Sequence, residues 1–208
     1  MPDPSIVDTV VLRYFLFVDQ VELLTSLLGL PFHVPRVVFD PNEGDVPESA
    51  MSEISRSIFV QQRTAEDPGR QLGARNEAAL KASRLVRSSD LHARGELHVV
   101  DLEPAELTLF ARLTTKAGAR ELGLRFALDA GEAACIAVAV QRGWVLVTDD
   151  NDALTALESL DPGHPYERCR KLLRRAAETG LIKKSEANRI HTEMRELGFR
   201  DDEVPFPA

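Results

Sequence analysis

The amino-acid sequence predicts an α/β protein with three layers, α/β/α, built on a short parallel sheet and carrying a helical insertion. Short, mainly apolar runs recur along the chain, and the run at residues 144–147 is continuously apolar and too brief for a helix, as in a strand buried on both faces of a parallel sheet. Helical sequence separates these runs, which is typical of parallel connections. With 208 residues and 44% hydrophobic content, the chain can bury a core without disulfides, so we expect a single domain over residues 1–208.

Four of the apolar runs are the predicted strands. Because each is short and helical sequence lies between them, we expect them to be neighbours in one parallel sheet. The predicted strands are residues 6–7, 32–34, 98–100 and 144–147.

The segment after the first strand has two interpretations. One is a pair of helices over residues 10–17 and 21–28, separated near Asp19. The other is a plain strand over residues 10–18, and periodicity alone leaves both open.

Two further segments are predicted to be helical. Residues 44–98 are predicted to form an insertion, in which Pro47 and Glu48 lead into a helix that runs to about residue 63, followed by a turn at 67–69 and a second helix over 72–86. We favour a packing cover as its role, and a lid or a partner-docking surface is the alternative. Residues 165–200 hold two C-terminal amphipathic helices, the first with apolar residues at positions i, i+3, i+4 and i+7. Those four residues are Cys169, Leu172, Leu173 and Ala176.

The composition limits the class of protein. A net charge of −8 argues against a protein that coats nucleic acid through bulk electrostatics. The charge is uneven, however, because residues 168–189 hold eight basic residues against two glutamates. The two cysteines do not suggest a disulfide framework, which fits a cytoplasmic protein. No stretch approaches the ~20 apolar residues of a membrane span, so we expect no membrane partner.

Carboxylates carry the chemistry that the sequence suggests. The strand at residues 144–147 ends in Asp149 and Asp150, and Glu132 stands at the head of the preceding helix. Ligands of open parallel sheets collect beyond the carboxyl ends of strands. Each acid can also be a helix cap, since Asp129 and Glu132 have capping-box spacing and Asp150 precedes a helix. The combination favours a cation site.

The identity of the cation follows from the ligand types. The five histidines have no metal-ligand spacing, and nucleophile elbows and phosphate-cradling glycine loops are missing from the sequence. Carboxylates without histidine or cysteine select Mg²⁺ or Mn²⁺ over Zn²⁺.

Together these motifs resemble the PIN-domain ribonucleases, in particular the branch with a Gly-Glu motif. The family's motifs match this sequence specifically over residues 124–200 and fairly over 6–43, and residues 44–98 contain no matching motif. It rests on an Asp-Thr pair after the first strand, an acid after the second, a Gly-Glu pair, a strand ending in acids and a characteristic tail. The residues concerned are Asp8-Thr9, Glu43 or Asp40, Gly131-Glu132, Thr148-Asp149-Asp150, Gly180-Leu181-Ile182 and Gly198-Phe199.

The resemblance implies a divalent-metal-dependent endoribonuclease that hydrolyses RNA, often the toxin of a pair with a small antitoxin protein. It implies Mg²⁺ or Mn²⁺ as cofactor and leaves a homodimer open. The catalytic residues would be Asp8, Glu43, Glu132 and Asp149, and the metal ligands Asp8, Glu132, Asp149 and Asp150. With RNA as substrate, Arg170, Arg174 and Arg175 would contact phosphates, the alternative being a solvated helix face.

Two departures from the family pattern bear on these expectations. Val10 stands where family members commonly have Ser or Asn, which weakens the support expected for Asp8. Residues 160–163 replace the usual glycine-threonine strand, so the sheet is expected to be one strand short. The alternative function is therefore a PIN-like protein with a decayed site that acts as a binding or scaffold module.

Overall fold

A five-stranded parallel sheet forms the centre of the protein. The computed structural model describes residues 3–201 and 203–207, and within them the strand order is β3-β2-β1-β4-β5. All four predicted strands are present as neighbours, which confirms the α/β prediction. The strands are β1 (Ser5–Val7), β2 (Phe32–Pro35), β3 (Leu97–Val100), β4 (Val145–Val147) and β5 (Tyr166–Glu167).

Helices flank the sheet, as expected for three α/β/α layers. The first eight helices in chain order are α1 (Thr9–Phe17), α2 (Val21–Leu28), α3 (Glu53–Glu66), α4 (Leu72–Leu85), α5 (Arg87–Ala93), α6 (Pro104–Leu113), α7 (Lys116–Glu121) and α8 (Ala130–Arg142). After β4 come α9 (Asn151–Leu160), α10 (Cys169–Glu178) and α11 (Lys184–Glu196).

The segment after β1 is helical. Helices α1 and α2 occupy it, so the alternative of a strand over residues 10–18 is wrong. The sequence left the choice open because α1 is apolar on nearly all sides, with Val11, Leu12, Phe15 and Leu16 fully buried. A helix that is buried all round has no polar face to reveal its period.

The sheet has a fifth strand, so the expectation of a sheet one strand short is wrong. Strand β5 pairs in parallel with β4, through Leu146 with Tyr166 and Val147 with Glu167. It lies just after the segment 160–163 in which it was missed. Two residues, one of them the exposed Tyr166, give no apolar run from which to predict a strand.

The insertion contains the two predicted helices and a third, short one. Helices α3 and α4 pack against each other, α4 also contacts α1, and α5 leads into β3. Helix α3 begins at Glu53, later than the sequence suggested, because residues 48–50 form a separate 3₁₀ turn. The N–H groups of Glu53 and Ile54 donate to the carbonyls of Val37 and Val38, just beyond β2, at 2.9 and 3.0 Å. The start of the insertion is thereby fixed to the edge of the sheet.

The two predicted C-terminal helices are α10 and α11, which pack against each other. All four residues of the predicted apolar stripe on α10 are buried. In the part of the chain that the structure describes, no helix is both long and apolar enough to cross a membrane.

Candidate functional site

The candidate site lies where the strand order reverses. Strand β1 is central, with β2 on one side and β4 on the other, so the crevice at their carboxyl ends is the topological switch point that commonly binds ligands. Val7 pairs with Val147 across β1 and β4, so Asp8 and Thr148 leave the sheet at the same level. The Thr148 hydroxyl donates to Asp8 Oδ2 at 2.7 Å.

Asp8 is buried at the bottom of this crevice, with only 3% of its surface exposed. Its Oδ1 accepts the Thr9 N–H at 2.7 Å, which caps α1. The pKa of Asp8 is raised to about 7, chiefly by burial and also by the charges of Glu53 and Asp150, while the hydrogen bonds from Thr148 and Thr9 oppose the increase. Asp8 is therefore partly protonated near neutral pH.

Glu53, the first residue of α3, is the acid that the sequence did not identify. Its Oε1 accepts the main-chain N–H of Gly131 at 2.9 Å, and its Oε2 accepts the hydroxyl of Thr9. A Cβ on Gly131 would lie 2.4 and 2.5 Å from the two carboxylate oxygens, so the site requires glycine there. The Gly-Glu motif in the sequence was a signal for this close approach, but it did not reveal the partner.

Glu132 caps a helix and also lines the site. Its Oε2 accepts the N–H of Asp129 at 3.3 Å, and the two residues form the predicted capping box of α8. Burial, together with the charges of Asp150 and Asp8, raises the pKa of Glu132 to about 8. The cap and the charged cluster are therefore two properties of the same side chain.

The neighbouring acids Asp149 and Asp150 have different surroundings. Asp150 Oδ1 caps α9, accepting the N–H groups of Asp152 and Ala153 at 2.7 and 3.0 Å, while the residue also lines the cleft. Asp149 lies outside that cleft, and its side chain is 5% exposed. Its Oδ2 accepts the Cys169 N–H at 2.9 Å, and its Oδ1 the Arg168 Nε at 3.3 Å. Burial raises the pKa of Asp149, although those hydrogen bonds oppose the increase.

Glu43 and Asp40 also lie outside the cleft. Both Glu43 carboxylate oxygens accept hydrogen bonds from Ser52, one from its main-chain N–H and one from its hydroxyl at 3.0 Å. Asp40 forms an ion pair with Arg36 at 2.9 Å. Because Ser52 directly precedes Glu53, the contact made by Glu43 holds the start of α3. Glu53 thus occupies the place beyond β2 at which the sequence predicted an acid.

Together, five acids and two arginines line a cleft of about 330 Å³. These charged residues are Asp8, Glu53, Asp129, Glu132 and Asp150, with Arg13 and Arg56. Within residues 3–201 and 203–207, no group of three or more His, Cys, Asp and Glu side chains is arranged to hold a metal ion. The donor chemistry fits a hard cation such as Mg²⁺ or Mn²⁺, because carboxylate oxygens are the ligands these ions prefer.

The three arginines expected to contact RNA have partners inside the protein. Arg170 pairs with Asp201 at 3.6 Å and with Glu203. Arg174 donates to the Pro205 carbonyl, and Arg175 pairs with Glu167 at 3.0 Å. Arg170 and Arg174 therefore hold the C-terminal segment, which contains Asp201, Glu203 and Pro205, against α10.

No protein-family model, curated protein or solved structure matches this chain. The resemblance to PIN-domain ribonucleases therefore depends on the motif residues alone, and the activity it implies stays an expectation.

Proposed function

We propose that this chain is a divalent-metal-dependent endoribonuclease that hydrolyses RNA phosphodiester bonds in the cytoplasm. One observation carries the proposal: acids from four separate segments, Asp8, Glu53, Glu132 and Asp150, line a single cleft at the switch point of the sheet. Two of them, Asp8 and Glu132, have pKa values raised to about 7 and about 8. Acids perturbed in this way and gathered in a cleft are typical of functional sites.

The position of each acid supports a site built for a cation and a phosphate. Asp8 and Asp150 cap α1 and α9, while Glu53 and Glu132 lie in the first turns of α3 and α8. Helix N-termini favour negative charge, both on side chains and on bound anions. The N-termini of α1, α3, α8 and α9 meet at this cleft, and their partial positive charges offset part of the repulsion among the acids.

Asp8, Glu53, Glu132 and Asp150 would hold the Mg²⁺ or Mn²⁺. Such an ion would activate water and offset the negative charge that builds on the phosphate. Arg13 and Arg56 line the same cleft and would attract the RNA backbone. Because Asp8 and Glu132 hold protons near neutral pH, cation binding should release protons, which the buffer dependence of the binding enthalpy would reveal.

The partners and the assembly also belong to this proposal. RNA is the substrate, and the protein acts as the toxin of a toxin–antitoxin pair, neutralised by a small antitoxin protein. A homodimer is the assembly to test by sedimentation. A small open reading frame directly beside the gene would support the toxin role, and a solitary gene would count against it.

A second candidate, a decayed PIN-like scaffold without catalytic activity, is favoured by one observation. In the described part of the chain the acids share a cleft, but no three of them surround a common point. Val10, which follows Thr9, also adds no polar group to the site.

A pair of glutamates separates the two candidates. Glu53→Gln keeps the shape of the side chain and can still bond Gly131 and Thr9, so it should fold normally yet lose Mn²⁺ affinity and RNA cleavage. Glu43→Gln removes one negative charge outside the cleft and is the matched control, which should keep most of the activity. The measurements are Mn²⁺ titration calorimetry and cleavage of a labelled single-stranded RNA.

The outcomes of this experiment differ for each candidate. A parent protein that neither binds Mn²⁺ nor cuts RNA would establish the scaffold. If the parent cuts RNA and Glu53→Gln cuts it equally well, the active site lies elsewhere.

A further inference from the structure

A second cavity, of about 520 Å³, adjoins the acidic cleft. The two cavities share Val10, Arg13 and Asp150, so they form one continuous surface along α1. The second cavity is also lined by Tyr14 and Arg200. A chain molecule bound across the cleft would extend into it.

Two arginines of this cavity are not neutralised by acids. Among the described residues, neither Arg13 nor Arg200 forms an ion pair with a carboxylate, whereas Arg168 pairs with Asp149 close by. The Arg13 guanidinium lies 5.5 Å from the centre of the Tyr14 ring. Both cations are thus available to an anion.

Tyr14 lines the same cavity as these two arginines. Burial keeps the pKa of Tyr14 above its usual value, although the charges of Arg13 and Arg200 oppose the increase. The phenol is therefore protonated at neutral pH. A protonated phenol can donate a hydrogen bond to a ligand.

Arg200 reaches the cavity because its neighbours on both sides are anchored. Phe199 packs edge-on against Tyr14, with ring centres 5.1 Å apart, and against His191 at 5.7 Å. Asp201 on the other side pairs with Arg170 at 3.6 Å. The C-terminal segment thereby delivers a cation to a site whose other parts belong to the first helix.

We propose that Arg13, the Tyr14 hydroxyl and Arg200 bind a phosphate of single-stranded RNA that neighbours the phosphate being cleaved. Two guanidinium groups and a hydroxyl donor suit a phosphodiester, because charged hydrogen bonds to phosphate oxygens are short and strong. Asp149, Asp150 and Asp152 also line this cavity and repel an anion. The site therefore binds a phosphate best when a cation offsets those acids, and in this respect it rests on the proposed function.

The test uses Arg200→Gln, Tyr14→Phe and a charge-matched control, Arg120→Gln, whose arginine is exposed on α7 and lines neither cavity. Binding of a fluorescent single-stranded RNA with phosphorothioate linkages, which resist hydrolysis, is measured by anisotropy across a salt series, once with Mn²⁺ and once with EDTA, with each substitution made in the parent protein. Arg200→Gln should weaken binding roughly tenfold, as expected for the loss of a charged hydrogen bond. It should also lower the slope of log K against log salt by about 0.7, the value for one phosphate of a single strand.

Tyr14→Phe keeps the packing against Phe199 and should weaken binding with no change in the salt slope. Cleavage supplies an independent measurement: the parent should cut a trinucleotide with a higher kcat/KM than a dinucleotide, and Arg200→Gln should lose that advantage.

The subsite and the nuclease can fail separately. If the parent protein binds RNA in an Arg200-dependent way but does not cut it, the phosphate subsite is supported and the proposed nuclease activity is rejected. A parent that cuts RNA while Arg200→Gln behaves like Arg120→Gln overturns the subsite, and so does a parent that binds no RNA under either condition.

Discussion

The main-chain N–H of Gly131 donates a 2.9 Å hydrogen bond to the carboxylate of Glu53, a residue 78 positions earlier in the chain. The bond connects the first turn of α8, which packs on the sheet, with the first turn of the insertion. It brings the first residue of α3 into the candidate site, and the role of the insertion as a packing cover stays a prediction.

Gly131→Ala should remove Glu53 from the site without unfolding the protein. The new methyl group would overlap the carboxylate oxygens, but the end of the Glu53 side chain can swing away, and alanine favours helix by about 1 kcal/mol over glycine. We expect the free energy of unfolding to change by less than about 1 kcal/mol, with Mn²⁺ affinity and RNA cleavage strongly reduced.

The control for this substitution is Gly73→Ala, in helix α4, where a Cβ meets nothing within 4 Å. It should stabilise the protein by about 0.5–1 kcal/mol and leave activity unchanged. Equal activity in the two alanine variants would show that Glu53 does not take part in the reaction.

The metal-free protein should become less stable as the pH rises from about 4 to about 8. The folded-state pKa values of Asp8 and Glu132 are raised to about 7 and about 8, so the folded protein holds protons that the unfolded chain releases at lower pH. The stability linked to these protons is complete below the unfolded pKa values and is lost as the pH rises through the folded ones.

Glu132→Gln should flatten this pH dependence while keeping the capping box of α8, because glutamine also serves at that position. At pH 8 in EDTA, the melting temperature of the variant should match or exceed that of the parent, and Mn²⁺ affinity and cleavage should fall. Chemical denaturation at several pH values provides the measurement. A parent whose stability does not change between pH 4 and 8 would contradict the raised pKa values.

Asp149→Asn and Asp150→Asn should have opposite effects. Asp149 accepts from Cys169 and Arg168 inside the protein, and an amide cannot replace both acceptors, so we expect a loss of about 1–3 kcal/mol of stability. Asparagine caps helices as well as aspartate does. The Asp150→Asn protein should therefore be as stable as the parent but should no longer cleave RNA. Thermal melts and cleavage assays on both variants test this. Loss of cleavage without loss of stability in Asp149→Asn would make Asp149 a metal ligand.

Reversing Arg170, Arg174 and Arg175 to Glu should first of all loosen the C-terminal segment. Arg170 faces Asp201 and Glu203, so a glutamate there replaces attraction by repulsion. We expect a lower melting temperature and faster proteolysis after the end of α11, with any loss of RNA binding following from the displaced Arg200. An unchanged melting temperature together with weaker RNA binding and a flatter salt dependence would instead support direct contact with RNA.

Local rules were enough to predict much of the fold and part of the site. The four mainly apolar runs are strands because a short apolar segment between helical stretches has few other ways to be buried. Asp8 and Asp150 follow β1 and β4, and Glu132 heads α8, so strand ends and helix caps located these acids without knowledge of the tertiary structure.

Only the tertiary structure decided which other acids join them. Consecutive side chains leaving a strand point to opposite sides, so the sequence could not say whether Asp149 or Asp150 would face the cleft. The carbonyls of Val37 and Val38 fix the start of α3 at the end of β2, and this places Glu53 where Glu43 was expected. Such contacts join segments far apart in the chain, and no local pattern of residues encodes them.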